Sequence, residues 1–232
     1  RLLCLFLFFI IYVFIIFFFF FIMMRRPPCS PLDRSSEASD VYKRQCFNSV
    51  TTDLDGNLFL TGWTDSPNFP VSDAGTFYQG VKSADEEAVI LKFSPAHVLI
   101  WATFYGGNHE DWGHSITTDN AGNVFVAGET VSNTFPTYNA GTYYDGTLGS
   151  DEDVFILKFD NDGNRLWATF YGGSKKEGGY SICTDPSGNI FVTGYTDSND
   201  FPKLNAGTYY QAAMAGIEDL FIFKFYNTRK RL

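Results

Sequence analysis

The chain has 232 residues, of which 45% are hydrophobic and 18% aromatic, and its 17 basic and 26 acidic side chains give a net charge of −9. The charge is uneven, because residues 46–232 hold 11 basic and 23 acidic side chains, a net charge of −12. A body this acidic excludes nucleic acid as the main partner, since binding to phosphates needs a basic patch. The same charge disfavours docking on anionic lipid.

The first 45 residues differ in composition from the rest of the chain. Leu2–Met24 contains no charged residue and 9 of the 25 phenylalanines, and an apolar run of this length would suffice to span a membrane. Arg25 and Arg26 follow the run, whereas a secretory signal peptide carries its positive charge before a shorter apolar stretch. Residues 25–45 resemble translated sequencing-adapter sequence, and the run itself resembles a translated low-complexity, thymine-rich read. We therefore predict that residues 1–45 are a non-native segment and not a domain, with a membrane anchor and a damaged signal peptide as alternatives.

The remainder of the chain contains an internal repeat with a period of 66 residues. The heptapeptide WATFYGG occurs at 101–107 and again at 167–173. The same offset aligns three Phe-Pro pairs, three Lys-Phe pairs and three Asp-x-x-Gly-Asn motifs without any insertion or deletion. Such regularity predicts one supersecondary unit that recurs along the chain.

Within one unit, short β-rich runs alternate with turns, and no segment has the 3.6-residue period of a helix. In the second unit the runs are Ser115–Asp119, Val124–Gly128, Val154–Phe159 and Leu166–Tyr171. The glycines at 56, 122 and 188 supply the positive φ that a short hairpin loop needs. Four antiparallel strands per unit are typical of a β-propeller blade, so the sequence predicts an all-β fold built from such blades.

The motifs of the second unit also resemble the SBBP-type bacterial β-propeller repeat. They lie at Ser115–Thr130, Phe135–Pro136, Asp153–Phe159 and Trp167–Gly173. The resemblance extends over residues 46–232. It implies a propeller in a secreted or cell-surface bacterial protein, with no shared enzymatic activity and no catalytic residues to carry over.

The period divides the chain into blades at 46–111, 112–177 and 178–232. A closed propeller takes about 4 to 8 blades, whereas these residues hold only about three units of 66. We therefore predict a β-propeller fragment of about three four-stranded blades, the last of which lacks its final strand. Further blades of a parent propeller are then expected partners.

Three long loops between the second and third strands are the predicted binding regions, at about 68–87, 134–153 and 200–219. Long loops on a rigid scaffold commonly carry function, and these combine aromatic pairs with acids, which suits a protein or glycan ligand. The candidate ligand-binding residues are Tyr78, Tyr143, Tyr144, Tyr209, Tyr210, Glu87, Asp153 and Asp219. The tyrosines have loop anchoring as an alternative role, and the acids have hydrogen bonding between blades or simple solvation.

Aspartates in the repeated turns raise a calcium hypothesis, since this ion prefers oxygen ligands presented in a tight loop. The candidates are Asp119, Asp160, Asp162 and Asp185. Their spacing lacks the acidic closing residue of an EF-hand loop, and Asp162 is matched by Ala96 and Thr228 in the other units. We therefore expect no cofactor and a hairpin role for these aspartates, with calcium as the alternative.

No residue pattern indicates an enzyme. His97, His109 and His114 each occur in a single unit, and their spacing fits neither a metal site nor a catalytic triad. We therefore predict a non-enzymatic binding or structural module of an extracellular or cell-surface bacterial protein, with no membrane span in the native module. Two alternatives stay open: part of a polysaccharide-active enzyme whose catalytic residues lie outside this fragment, and a purely architectural spacer.

Overall fold

The computed structural model describes residues 44–140, 144–149, 151–203, 211 and 213–226. These residues form eleven β-strands, and all of the strands lie within one compact unit, Tyr42–Leu232. The strands are β1 (Gln45–Thr52), β2 (Leu58–Thr64), β3 (Glu87–Phe93), β4 (Leu99–Tyr105), β5 (Asp111–Thr118), β6 (Val124–Thr130), β7 (Asp153–Phe159), β8 (Arg165–Tyr171), β9 (Glu177–Thr184), β10 (Ile190–Thr196) and β11 (Asp219–Phe225). Over the same residues, no helix is long and apolar enough to cross a membrane.

The strands form three antiparallel sheets whose strand order follows the sequence. Blade 1 consists of β1–β4, blade 2 of β5–β8, and blade 3 has β9–β11 among the described residues. Corresponding strands begin and end 66 residues apart, as β1, β5 and β9 illustrate with starts at 45, 111 and 177. The predicted all-β class and the blade-like repeat are therefore confirmed.

The first strand of blade 2 is longer than the sequence indicated. β5 begins at Asp111, four residues before the predicted start at Ser115. The added residues pair with the end of β6, where Asp111 lies opposite Thr130, and the register shifts by a bulge between Gly113 and Ser115. Local β-propensity in this glycine-containing stretch is weak, so pairing with the neighbouring strand decides its conformation.

Both faces of blade 2 are buried, because it lies between the other two blades. Alternation along β6 directs Val124 and Val126 into a core shared with blade 1. The same alternation directs Phe125 and Ala127 into a second core shared with blade 3. A strand that is buried on both faces has consecutive apolar residues. This burial explains the unbroken apolar run Val154–Leu157 in β7.

The first strands of the blades lie side by side and form the inner edge of the array. Serine side chains connect them: Ser49 Oγ accepts a hydrogen bond from the backbone of Ile116, and Ser115 Oγ accepts one from Ile182, both at 3.2 Å. These bonds recur with the 66-residue period. They satisfy backbone donors of one blade with side chains of the previous one, and so they fix the spacing of the blades.

The two ends of the blades differ in their connections. Because successive strands are antiparallel, the short hairpin turns lie at one end, and the long β2–β3, β6–β7 and β10–β11 connections lie at the other. The β4–β5 and β8–β9 connections between blades share the second end. We call the end that carries the long connections the loop-bearing face.

Candidate binding face

Two of the predicted tyrosines lie on the loop-bearing face at equivalent positions of blades 1 and 2. Tyr78 is 41% exposed and Tyr144 is 38% exposed. Each ring lies over the glycine two residues later, since a Cβ placed on Gly80 or Gly146 would lie 2.8 or 2.9 Å from Cε1 of the tyrosine ring. The Tyr144 hydroxyl also lies 3.0 Å from the hydroxyl of Thr137. Both rings therefore lie against a glycine and keep an accessible surface. Tyr143, Tyr209 and Tyr210 lie outside the described residues.

The predicted acids Glu87, Asp153 and Asp219 stand at the start of the third strand in each blade. Each carboxylate accepts a hydrogen bond from the backbone N–H four residues earlier, at 2.6, 2.7 and 2.8 Å respectively. Glu87 is 0% and Asp153 is 1% exposed. This geometry favours loop anchoring by Glu87 and Asp153, and direct ligand contact by the three acids stays a prediction.

A second buried carboxylate faces each of the first two anchors across a blade junction. Asp111 faces Glu87, and Glu177 faces Asp153; a Cβ on Gly172 would lie 2.4 Å from Asp153 Oδ1 and 2.6 Å from Glu177 Oε2. Burial, strengthened by the facing carboxylate, raises the pKa of Asp111 and the pKa of Asp153 to about 7. Asp153 Oδ1 has no hydrogen-bond partner in the described part of the chain. Between about pH 4 and pH 7 the buried aspartate of each junction therefore favours the protonated form more than an exposed aspartate does.

The aspartates of the calcium hypothesis close hairpin turns. Asp119 accepts hydrogen bonds from the backbone N–H of Ala121, the backbone N–H of Asn123 and the Asn123 side-chain amide, at 2.7 to 2.9 Å. Asp160 and Asp185 have the same three contacts, and Asp162 supplies one of the N–H donors to Asp160. Within the described residues, no three His, Cys, Asp or Glu side chains are grouped so as to hold a metal ion. Calcium binding stays an untested alternative.

The structure also assembles a polar cluster that sequence reasoning missed, on the inner edge of the junction between blades 2 and 3. His114 Nε2 lies 3.1 Å from Glu129 Oε1, and the His114 ring contacts the Tyr180 ring edge-on, with centroids 5.4 Å apart. The Tyr195 ring lies 5.5 Å from that of Tyr180, and its hydroxyl donates to Glu152 Oε1 at 3.1 Å. We call these five residues the junction cluster. The available signal was that His114 has no counterpart in the other units.

Negative charge dominates the junction cluster. Burial and then the Glu129 charge raise the pKa of Glu152. Burial and then the charges of Glu129, Glu152 and Glu218 raise the pKa of Tyr180. The His114–Glu129 contact has the distance of an ion pair but not the alignment of a hydrogen bond, and Glu129 Oε2 is buried with no hydrogen-bond partner among the described residues. An unsatisfied buried carboxylate oxygen is energetically costly.

Comparison with known proteins agrees with this architecture. The SBBP β-propeller repeat matches residues 48–70, 100–136 and 167–202. The last two matches each run from the outer strand of one blade through the first two strands of the next. The chain is also 23% identical over 153 residues to the uncharacterized WD repeat-containing protein L264 of Acanthamoeba polyphaga mimivirus. That similarity covers 63% of this chain and 11% of the viral protein, so the chain spans a small part of that relative. The chain therefore carries SBBP β-propeller repeats at these three segments.

Proposed function

We propose that the chain is a non-enzymatic binding module of a secreted or cell-surface bacterial protein and contacts a protein ligand through its loop-bearing face. The proposal rests on which positions of the repeat have identical residues in different blades and which positions have different residues. The segments Trp101–Tyr105 and Trp167–Tyr171 are identical and pack in the blades. At the inner end of the loop-bearing face, the equivalent positions 63, 129 and 195 are Trp, Glu and Tyr.

The scaffold suits binding because its exposed aromatic side chains are already positioned. Tyr78 and Tyr144 are held over their glycines and are each about two-fifths exposed. A rigid aromatic side chain loses little conformational freedom when it contacts a ligand, so less of the interaction free energy is lost to ordering. The same aromatic surface would suit a glycan, which is the alternative ligand.

Binding is favoured over catalysis by the state of the recurrent acids. A general acid or base must come within hydrogen-bond reach of its substrate, whereas Glu87 and Asp153 are buried and hydrogen-bonded to loop backbone. The secreted or surface location is supported by the family resemblance.

The test is a screen of the full chain against a displayed random-peptide library and a glycan array. We expect saturable peptide binders whose affinity falls at least tenfold in Tyr78→Ser or Tyr144→Ser. The matched control is Leu54→Ser, at an 80% exposed position of a hairpin turn at the opposite end, and it should leave binding unchanged. Saturable binding to glycans and not to peptides would show that the ligand is a glycan. Absence of saturable binding from both screens, or binding insensitive to the tyrosine substitutions, would contradict the loop-face proposal.

A further inference from the structure

We propose that the junction cluster binds an organic cation, the guanidinium or ammonium group of an arginine or lysine side chain presented by a partner protein. This inference builds on the proposed binding function and names the chemistry of one contact. The cluster lies on the same inner, loop-bearing end of the blades as the varied positions described above.

Blade 1 shows how the fold accommodates a cation at this place. Its Arg44 guanidinium lies 5.6 Å from the centroid of the Trp63 ring, and Arg44 Nη2 lies 3.0 Å from Glu86 Oε1. A cation held between an aromatic face and a carboxylate is stabilised by both. A cation therefore occupies this place in blade 1, although Arg44 lies within residues 1–45, the segment predicted to be non-native.

Blade 2 carries three carboxylates at the same three positions. Glu110, Glu129 and Glu152 stand where blade 1 has Arg44, Trp63 and Glu86. The neighbouring Lys176 of blade 3 lies 3.4 Å from Glu152 Oε2. Its side chain is 51% exposed and that of Arg44 is 72% exposed, so both ion pairs are solvent-screened. His114 Nε2 lies 3.1 Å from Glu129 Oε1. The other oxygen, Glu129 Oε2, is buried and has no hydrogen-bond donor among the described residues.

Blade 2 has Glu129 at the position equivalent to Trp63. The aromatic rings at this junction come from blade 3 instead. Tyr180, which is 55% exposed, and Tyr195 lie beside Glu129 and form the wall of the cluster. At the first junction the position of Gly178 is occupied by Trp112, whose indole Nε1 donates to Glu86 Oε2 at 2.7 Å. Because Gly178 has no side chain, the second junction lacks that internal donor. Glu129 Oε2 is thus left without a donor among the described residues, whereas Glu152 accepts a hydrogen bond from Tyr195 and lies near Lys176.

The chemistry of the site selects an organic cation. A planar guanidinium or an ammonium group satisfies a carboxylate oxygen and stacks on tyrosine at once. The net charge of −12 on residues 46–232 attracts cationic ligands over long range, in a salt-dependent manner.

The test uses acetyl-Gly-Arg-Gly-amide as the probe and its citrulline counterpart, a neutral shape match, as the ligand control. Binding to the full chain is followed by amide NMR shifts. We expect saturable shifts at Gly178, Tyr180 and Tyr195 with the arginine probe, and at least fivefold weaker binding with the citrulline probe or at high salt. Glu129→Gln and Glu152→Gln, which keep side-chain shape, should each weaken arginine binding at least threefold. Glu86→Gln, at the equivalent position of blade 1, should leave it unchanged.

Equal binding of both probes, no shift with either, or undiminished arginine binding in both glutamine variants would overturn the inference. Amide chemical shifts that are unchanged at residues far from the substitution show that each variant is folded. Tyr78 and Tyr144 lie outside the junction cluster, so the peptide and glycan screens can succeed while this inference fails, and the two results are distinguishable.

Discussion

Gly122 illustrates how a single residue of the repeat is constrained by its turn. It closes the β5–β6 hairpin at φ +77°, in the left-handed region that favours glycine. A Cβ at this position would also lie 2.7 Å from the side-chain amide nitrogen of Asn161, in the neighbouring β7–β8 turn. The same positive φ recurs at Gly56 and Gly188. The sequence prediction for these three glycines is therefore confirmed.

We expect Gly122→Val to destabilise the protein by about 1–3 kcal/mol, because a β-branched residue is strained at positive φ. The free energy of unfolding in urea would measure the effect. Ala121→Val is the matched control, since it adds bulk at the exposed preceding residue of the same turn and should cost less than about 0.5 kcal/mol. Equal losses in the two variants would show that turn conformation is not the cause.

At the scale of structural elements, the blade junctions combine apolar packing with paired carboxyl groups. Asp153, at the start of β7, faces Glu177, at the start of β9, and burial raises the pKa of Asp153 to about 7. The raised pKa means that the folded state binds a proton more tightly than the unfolded state does. The stability that the folded state gains from this bound proton is fully present below the ordinary aspartate pKa of about 4. It is lost as the pH rises through the folded-state pKa of about 7.

Asp153→Asn should therefore stabilise the protein at pH 8 by roughly 1–3 kcal/mol, since asparagine mimics the protonated carboxyl without carrying a charge. At pH 4 the variant and the natural sequence should differ little. Urea unfolding at the two pH values would measure both differences. Asp151→Asn removes a charge from an exposed position two residues away and should show no such pH dependence. A destabilised Asp153→Asn variant at pH 8 would contradict a raised pKa of Asp153 at the junction.

On the scale of the whole molecule, the three blades differ in how well their faces are covered. Leu220 and Ile222 of β11 are 88% and 70% exposed, whereas the equivalent Val154 and Ile156 of β7 are fully buried. Apolar side chains on an uncovered sheet face favour association with another chain. Repeat proteins depend on such contacts, because each unit is stabilised mainly by its neighbours.

The chain should therefore self-associate with rising concentration, as measured by size-exclusion chromatography with light scattering. Leu220→Lys combined with Ile222→Lys should shift the distribution toward the monomer, because charged side chains oppose burial of that face. Leu54→Lys, at an 80% exposed hairpin position, is the control and should not shift it. A monodisperse monomer of the unmodified chain at every concentration would contradict the prediction.

Local chemistry made much of this fold predictable from the sequence. Turn residues such as Asp119 and Gly122 act within a few positions of one another, and alternation along β6 assigns side chains to opposite faces. The period of 66 residues then transfers each local assignment to the other blades, and the strand bounds follow it. Single-residue turn geometry, strand alternation and blade repetition were therefore determined by the sequence itself.

The junction cluster, unlike the loop tyrosines Tyr78 and Tyr144, was decided only by tertiary structure. His114, Glu129, Tyr180 and Tyr195 come from β5, β6, β9 and β10 of two blades, and no local pattern relates positions on different strands of different blades. Burial of Glu87 and Asp153 likewise depends on the neighbouring blade, since the same acids would be solvated on an isolated sheet. Contacts between blades join residues that are far apart in the chain, and for such residues the separation in sequence does not predict the distance in space. Turns and strand alternation are set by the geometry of adjacent backbone residues, so the sequence predicts them.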